Sequence, residues 1–541
     1  MKHTRAQQIA ARRAELAGPA GLTGLLQNLR LVRLALITSL GAFCYGYEQG
    51  AYSQVLVMPS FTNNPHFARI ASDASYKGWS VSTLPLGGWV GALANGYCCD
   101  RFSRRWAIFS GGVVCLVGTG LTAGAQNAAY MFVGRFFIGL AAGSLSAATP
   151  LYNSEISAPE LRGSLVSWQQ FQICCGIAVS YWAGYGTNYI SETHSVAWRL
   201  PLAFQGVPAI LLCVLCLFIP YTPRWLVKQN RTDEALQTLA YLRNRSVDDE
   251  LVKLEFLEIR AEEIFAVETM HERHPDYKKG GLRMELANFG SLFITRQMFR
   301  RTAVACLMQF FQQMSGIDNI VYYAPMIFGD LGLPGKTTSL LASGVNGIIF
   351  VLATIPAILL IDRVGRRPLL IAGGLGMAVC LIIISAIIAR FESDWPSHGA
   401  GGWAVAAFIW LYLANFGFSW GPCSWTVISE VFPLSTRSYG VALAASTNWM
   451  MNFVISEISP VMLEDITYGT YLFYLAFMLM GVAYVIWVLP ETRGKSLEEM
   501  DLAFGSTQAV EEAERMEAIY AKIMGADEKH VERTSTTVEA A

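Results

Sequence analysis

Long stretches almost free of charge recur along this chain, and they limit its fold more than any other feature. Apolar runs of about 18–25 residues, long enough to cross a bilayer as helices, lie near 33–57, 78–98, 106–126, 129–151, 163–186, 199–219, 302–328, 338–361, 368–390, 402–428, 438–462 and 470–489. Only 15% of the 541 residues are charged, against about 25% in an average soluble protein. The charges gather in the first 33 residues, in 222–301 and after 490. The expectation is an all-α membrane protein of twelve transmembrane helices. The N-terminal MKHTRAQQIAARRAE is basic but has no apolar core before a small-residue cleavage site, so it reads as a tail and not a signal peptide.

Positive charge predicts orientation. Arg101, Arg104 and Arg105 follow the second run, Arg162 the fourth, Arg363, Arg366 and Arg367 the eighth, and Arg437 the tenth. The alternate loops carry almost none, so both termini are expected in the cytoplasm, the natural setting being the plasma membrane. The sequons at Asn230 and Asn244 then fall on the cytoplasmic side, where glycosylation is not expected. The eleven cysteines lie almost wholly in apolar runs and read as small buried hydrophobes. A net charge of −1 gives no basic surface for nucleic acid.

An internal repeat emerges when the turns are aligned. GYCCDRFSRR (96–105) matches LIDRVGRRP (360–368), NSEISAPELRG (153–163) matches ISEVFPLSTR (428–437), and PYTPRWL (220–226) matches PETRG (490–494). Three signatures in the same order predict two six-helix, pseudo-symmetric bundles, the parallel-repeat plan of many secondary transporters. The expected division is a tail over 1–32, bundles over 33–221 and 302–489, a cytoplasmic linker over 222–301 and a tail over 490–541. Thr232 and Ser246 each precede acids and then helical apolar spacing, which predicts short amphipathic helices in the linker.

Those signatures, with GRFFIGLAAG (134–143), QQMSGIDNIVYYAP (312–325), WGPCSWTVISEVFP (420–433), NWMMNF (448–453) and PETRGKSLEE (490–499), resemble the sugar porter family of the major facilitator superfamily in its fungal-type sugar/proton symporter form. The resemblance spans roughly 33–500. It implies the major facilitator fold, a monomeric functional unit in the lipid bilayer, and import of a monosaccharide, hexose or pentose, by proton symport. Neighbouring possibilities are facilitative uniport, transport of a polyol, sugar acid or disaccharide, and a non-transporting sugar sensor. No nucleophile–base pair, metal cluster or phosphate loop stands out, so neither an enzyme nor a cofactor is expected.

A sugar leaving water needs replacement hydrogen bonds, and side-chain amides supply donor and acceptor together. The seventh run offers Gln312, Gln313, Asp318, Tyr322 and Tyr323 around Ser315-Gly316, a weak point in the helix. Trp420 precedes a second one at Gly421-Pro422. The resemblance places Gln170, Gln312, Gln313, Asp318, Trp420 and Asn448 at sugar-binding positions, with Tyr45, Tyr323 and Trp449 lining. Asp318 stands where the family usually has asparagine. It accepts hydrogen bonds without donating unless protonated, and its charge disfavours an anionic sugar acid.

Glu48 interrupts a run otherwise free of Asp, Glu, Lys and Arg from Leu34 to Phe67. Intramembrane acids are rare and usually paired, and Arg135 in the fourth run is the candidate partner. Proton-coupled members of the family carry an acid, mostly aspartate, at this position. Protonation of Glu48 from outside is expected to release Arg135, favour sugar binding and permit inward rocking.

At the cytoplasmic ends, Asp100 and Asp362 precede arginine clusters, and Glu155 and Glu430 lie seven residues before Arg162 and Arg437. The resemblance implies a charge latch across the two halves, made by these residues with Arg101, Arg105, Arg363, Arg367, Arg224 and Glu491. Ser103 and Tyr221 replace the family's usual glycine and glutamate, which predicts a looser latch in the first half.

Overall fold

The computed structural model describes residues 5–16, 24, 27–157, 161–273, 282–331, 336–395, 397–433, 436–493, 504 and 514–523. Every apolar run of the sequence is helical in it. The first half contains α2 (Leu29–Val55), α3 (Ala74–Phe102), α4 (Arg104–Ala123), α5 (Ala128–Ile156), α6 (Arg162–Asn188) and a sixth span in two pieces, α7 (Val196–Phe204) and α8 (Gly206–Cys216). The second half contains α13 (Arg296–Met314) and α14 (Ile317–Asp330), which together form the seventh span. It continues with α15 (Lys336–Val364), α16 (Arg366–Phe391), the paired α17 (Gly399–Phe418) and α18 (Trp420–Glu430), α19 (Arg437–Asp465) and α20 (Tyr468–Trp487).

Among the described residues, eight helical spans are long and apolar enough to cross a membrane by length and composition. The spans outside that set are α3, α6, α13–α14 and α19. These carry Asn95, Gln169 and Gln170, Gln309, Gln312 and Gln313, and Asn448 and Asn452. Their weaker hydropathy therefore marks where polar side chains enter the interior. The bundles meet along two seams, α3 against α19 and α6 against α15. Within the first bundle, α3 and α5 approach closely enough that a Cβ on Gly143 would sit 1.9 Å from the Gly88 carbonyl oxygen. Small residues allow this backbone contact, a common device where lipid supplies no hydrophobic drive between helices.

The seventh span breaks where the sequence predicts. Gly316 has φ +89°, and a Cβ there would meet the Tyr474 ring at 2.6 Å. The Tyr412 hydroxyl donates to the Ser315 carbonyl at 2.8 Å and holds the freed backbone. The tenth span breaks at Ser419, just ahead of the expected Gly421-Pro422.

Beyond the arginine-rich ends lie α10 (Thr232–Arg243) and α11 (Glu250–Arg273), the two helices that the spacing after Thr232 and Ser246 predicts, together with α9 (Pro223–Lys228) and α12 (Leu282–Ile294), which the sequence reading did not mark. Arg243 joins α10 to Glu255 of α11 at 2.8 Å and to the Ile156 carbonyl of α5 at 3.0 Å. An element absent from the sequence reading appears here. The N-terminal α1 (Arg5–Leu16) and a helix over 514–523 both dock on α11, burying Ile9, Ala261, Phe265, Ile519, Tyr520 and Ile523 together. Arg12 bonds Glu250 at 2.9 Å and Arg13 pairs with Glu258.

Candidate functional site

Glu48 and Arg135 meet as the sequence suggests. The guanidinium Nη1 donates to Glu48 Oε1 at 2.7 Å, and both side chains are fully buried. Arg135 Nη2 donates to the Val81 carbonyl of α3 at 3.1 Å, and its guanidinium carbon lies 3.7 Å from the centroid of the Tyr52 ring. Glu48 Oε2 and Arg135 Nε have no hydrogen-bond partner among the described residues. Deleting one member of such a fully buried pair typically costs about 3–5 kcal/mol, because the other charge stays buried.

The amides of the second bundle converge. Asn448 Nδ2 donates to Gln309 Oε1 at 2.7 Å and Gln312 Oε1 at 2.8 Å, while its Oδ1 accepts from Gln313 Nε2 at 3.1 Å. Gln312 Nε2 donates to the carbonyls of Trp420 and Gly421 at 3.1 and 3.2 Å. Both carbonyls lie in the first turn of α18, just past the break, and that of Trp420 also accepts from the Ser424 hydroxyl at 2.6 Å. Trp420 is fully buried, and its indole N–H is taken by the Leu370 carbonyl at 2.9 Å, so this ring offers a wall and no free donor.

Asp318, in the first turn after the Gly316 break, accepts from Asn452 Nδ2 at 2.6 Å. Asn452 Oδ1 accepts from the Tyr322 hydroxyl at 3.3 Å, and Tyr322 accepts from Gln49 Nε2 of the first bundle at 3.0 Å. Gln49 also donates to Tyr45 at 2.8 Å, and the Tyr45 ring lies 5.0 Å from that of Trp449. A continuous chain of donors therefore runs from the helix bearing Glu48 to the carboxylate of Asp318. Trp449 reaches back across the seam to Ser146 Oγ at 3.3 Å. Gln170 is half-buried, with a weak contact to Cys174 Sγ at 3.8 Å. Tyr323 is placed differently from the expectation of a lining residue. It is fully buried and donates to the Ser456 carbonyl at 2.6 Å, which commits its hydroxyl to packing α14 on α19.

Several residues of this network were not singled out by the sequence. Asn452 lies four residues after Asn448, one helical turn along the same face, and that spacing was the available signal. Gln49 sits beside Glu48 but on another face of α2. Gln313 Oε1 and both amide atoms of Asn319 and Asn346 are buried without a partner among the described residues.

The charges at the arginine-rich ends pair differently from the expected latch across the halves. Arg104 bonds Glu155 at 2.9 Å and Asp100 at 3.3 Å, while Lys228 bonds Asp100 at 2.8 Å. In the second half Arg366 bonds Glu430 at 2.8 Å, and Glu491 accepts the backbone N–H groups of Arg366 and Arg367 at 3.1 and 2.9 Å. These described contacts each tie helix ends within one half. The reason is local: Asp100 and Arg104 are one turn apart, and the turn aims the guanidinium back at its own bundle. Arg101 and Arg363 are exposed; Arg105 and Arg367 cap the carbonyls of Leu217 and of Val485 and Ile486. Arg224 joins the linker at Glu262, 2.6 Å away, and Arg437 donates to the Phe432 carbonyl at 3.4 Å. The side chains of Arg162 and Asp362 lie outside the described residues.

A family model described as "Sugar (and other) transporter" matches residues 34–504. The "Probable quinate permease" of Aspergillus niger is 32% identical over 495 residues, covering 89% of this chain and 89% of that relative. "Sugar transport protein 7" of Arabidopsis thaliana is 31% identical over 481 residues, 86% of this chain and 89% of its own. Among solved structures, the proton:xylose symporter XylE of E. coli, bound to 6-bromo-6-deoxy-D-glucose, superposes with a TM-score of 0.71 at 25% identity, covering 88% of this chain and 99% of that one.

Proposed function

The chain belongs to the sugar (and other) transporter family of the major facilitator superfamily, and from that premise we propose that it imports a neutral monosaccharide by proton symport. The observation that carries this reading is the fully buried Glu48–Arg135 pair at 2.7 Å, next in sequence to Gln49, from which Tyr322 and Asn452 lead to an amide-lined site at Asp318. The bundles over 33–221 and 302–489 rock about their two seams, a single chain being the working unit. Both termini and the linker face the cytoplasm, and the plasma membrane is the site of action.

Gln170, Gln312, Gln313, Asn448 and Asp318 bind the sugar hydroxyls, and Tyr45, Trp420 and Trp449 supply apolar faces to its C–H surfaces. Proton arrival neutralises Glu48 and departure restores the ion pair, so each turnover exchanges a bonded Arg135 for a released one. Arginines at the ends of the spans, with Asp100, Glu155, Glu430 and Glu491, brace each bundle as it moves.

A second reading is import of a polyhydroxy acid, favoured by the relatives named as quinate permeases. Asp318 speaks against it, since a carboxylate solute would meet a like charge while Arg135 is held by Glu48. Expression in a transport-null cell, with labelled glucose, xylose and quinate taken up with and without a proton uncoupler, separates the readings. Concentrative uptake of glucose or xylose that collapses with the uncoupler is the expected result. Concentrative uptake of quinate alone selects the acid, and uptake against a gradient that survives the uncoupler removes proton coupling. Glu48→Gln is expected to abolish accumulation while leaving downhill exchange.

A further inference from the structure

We propose that Tyr52 is a positioning residue of the proton site, the surface that holds Arg135 while Glu48 carries its proton; this rests on the proton-coupled reading above. When Glu48 is neutral, Arg135 loses its counter-charge inside a fully buried site. A cation stranded there would make the protonated state inaccessible, because desolvation of a charge is far larger than the loss of one hydrogen bond. The fold supplies two substitutes. One is the Val81 carbonyl, 3.1 Å from Nη2, and the other is the face of Tyr52, 3.7 Å from the guanidinium carbon. Attraction between a guanidinium and an aromatic face is strongest where water is excluded, and both residues are fully buried.

The ring is itself fixed. The Tyr52 hydroxyl donates to Ser80 Oγ of α3 at 3.0 Å, and Ser80 donates to the Lys77 carbonyl at 2.7 Å. Tyr52 follows Glu48 by four residues on α2, so acid and ring stand one turn apart on the same face. Arg135 therefore changes partners with little movement. The titratable groups facing this cluster are Tyr47 on α2, Tyr76 on α3 and Tyr322 and Tyr323 on α14, with Glu457 of α19 facing Tyr323.

The test compares Tyr52→Phe with Tyr52→Leu in cells, reading accumulation of the transported sugar, its dependence on external pH, and downhill counterflow exchange. Phenylalanine keeps the aromatic face and is expected to accumulate sugar to within about twofold of wild type. Leucine removes the face; accumulation is expected to fall about thirtyfold, and the proton concentration for half-maximal uptake to rise about thirtyfold, the ratio for a contact of the size typical of buried cation–aromatic pairs. Exchange is expected to survive. A leucine variant that accumulates normally with an unchanged pH profile overturns the proposal, as does one that loses exchange in parallel, or a phenylalanine variant as defective as leucine. If leucine prevents folding, fluorinated phenylalanines at position 52 keep the shape while draining the ring face. Accumulation must then fall with each added fluorine, and a flat series overturns the proposal. A wild-type chain that concentrates no solute overturns the proton-coupled reading and this inference together.

Discussion

The two halves build the same turn from different residues. In the second, Gly365 adopts φ +104°, the backbone of Arg366 and Arg367 donates to Glu491, and Arg366 reaches Glu430. In the first, Ser103 takes φ +88° at the matching position and accepts from the Trp106 N–H at 3.4 Å. Tyr221 replaces the glutamate, accepts from Trp106 Nε1 at 3.2 Å, and lies 5.3 Å below the Arg105 guanidinium while its ring stacks on Trp225. The first half is therefore tied by aromatic and cationic contacts where the other uses a carboxylate. The turn's shape is what both halves retain, and the chemistry that holds it is interchangeable.

Removing the central arginine tests that difference most severely. Arg104→Ala leaves Glu155 buried and is expected to cost about 3–5 kcal/mol, against about 1–2 kcal/mol for Arg366→Ala, whose Glu430 is more exposed and accepts from Thr492 Oγ1 at 2.6 Å. Thermal unfolding of the purified protein in detergent measures both, and equal losses would break the comparison. The hinge residues should differ in sign. Gly365→Ala places a Cβ 3.0 Å from Glu491 Oε2 at a left-handed φ and is expected to cost about 2 kcal/mol. Ser103→Gly relieves the same strain but loses a cap, for a net gain of about 0.5 kcal/mol.

Burial resists the charge of Glu491, yet the backbone N–H groups of Arg493, Arg367, Arg366 and Thr492 outweigh it and hold the carboxyl below its ordinary 4.5. Its contribution is thus complete above that value and lost as pH falls through the lowered one. Glu491→Gln is expected to lower stability at neutral pH by about 1 kcal/mol and to flatten the acid limb of the melting curve. The smallest effect is Tyr221→Phe, which removes only the bond to Trp106 at the surface, about 0.5 kcal/mol. A larger loss would show that the hydroxyl and not the stacked ring holds this end.

Much of the architecture is legible because membrane spans announce themselves by length and the repeat by its turns. Glu48 and Arg135 could be paired from sequence alone, since a buried acid in the first bundle had one candidate cation. The convergence of Gln312, Gln313 and Asn448 followed from family register. What escaped depends on which face meets which neighbour. Helical spacing says that Asn452 shares a face with Asn448 but not that Asp318 waits opposite. The turn signatures show that arginines cluster but not that Arg104 and Arg366, and neither of their flanking partners, turn inward. Tyr323 and Tyr322 are adjacent, and only the packing of α14 on α19 decides which hydroxyl serves the site.

The knot of α1, α11 and the helix over 514–523 carries a consequence for how the chain is made. Ile9, Phe265 and Tyr520 are separated by roughly 250 residues at each step, so their cluster closes long loops that begin and end outside the bundles. Its last wall leaves the ribosome after both bundles have been threaded into the bilayer. Until then Leu254, Leu257, Ala261 and Phe265 present an uncovered apolar stripe to water. Assembly of this knot therefore reports that synthesis has run through both bundles, and a nascent chain halted before residue 514 displays that stripe to whatever inspects it.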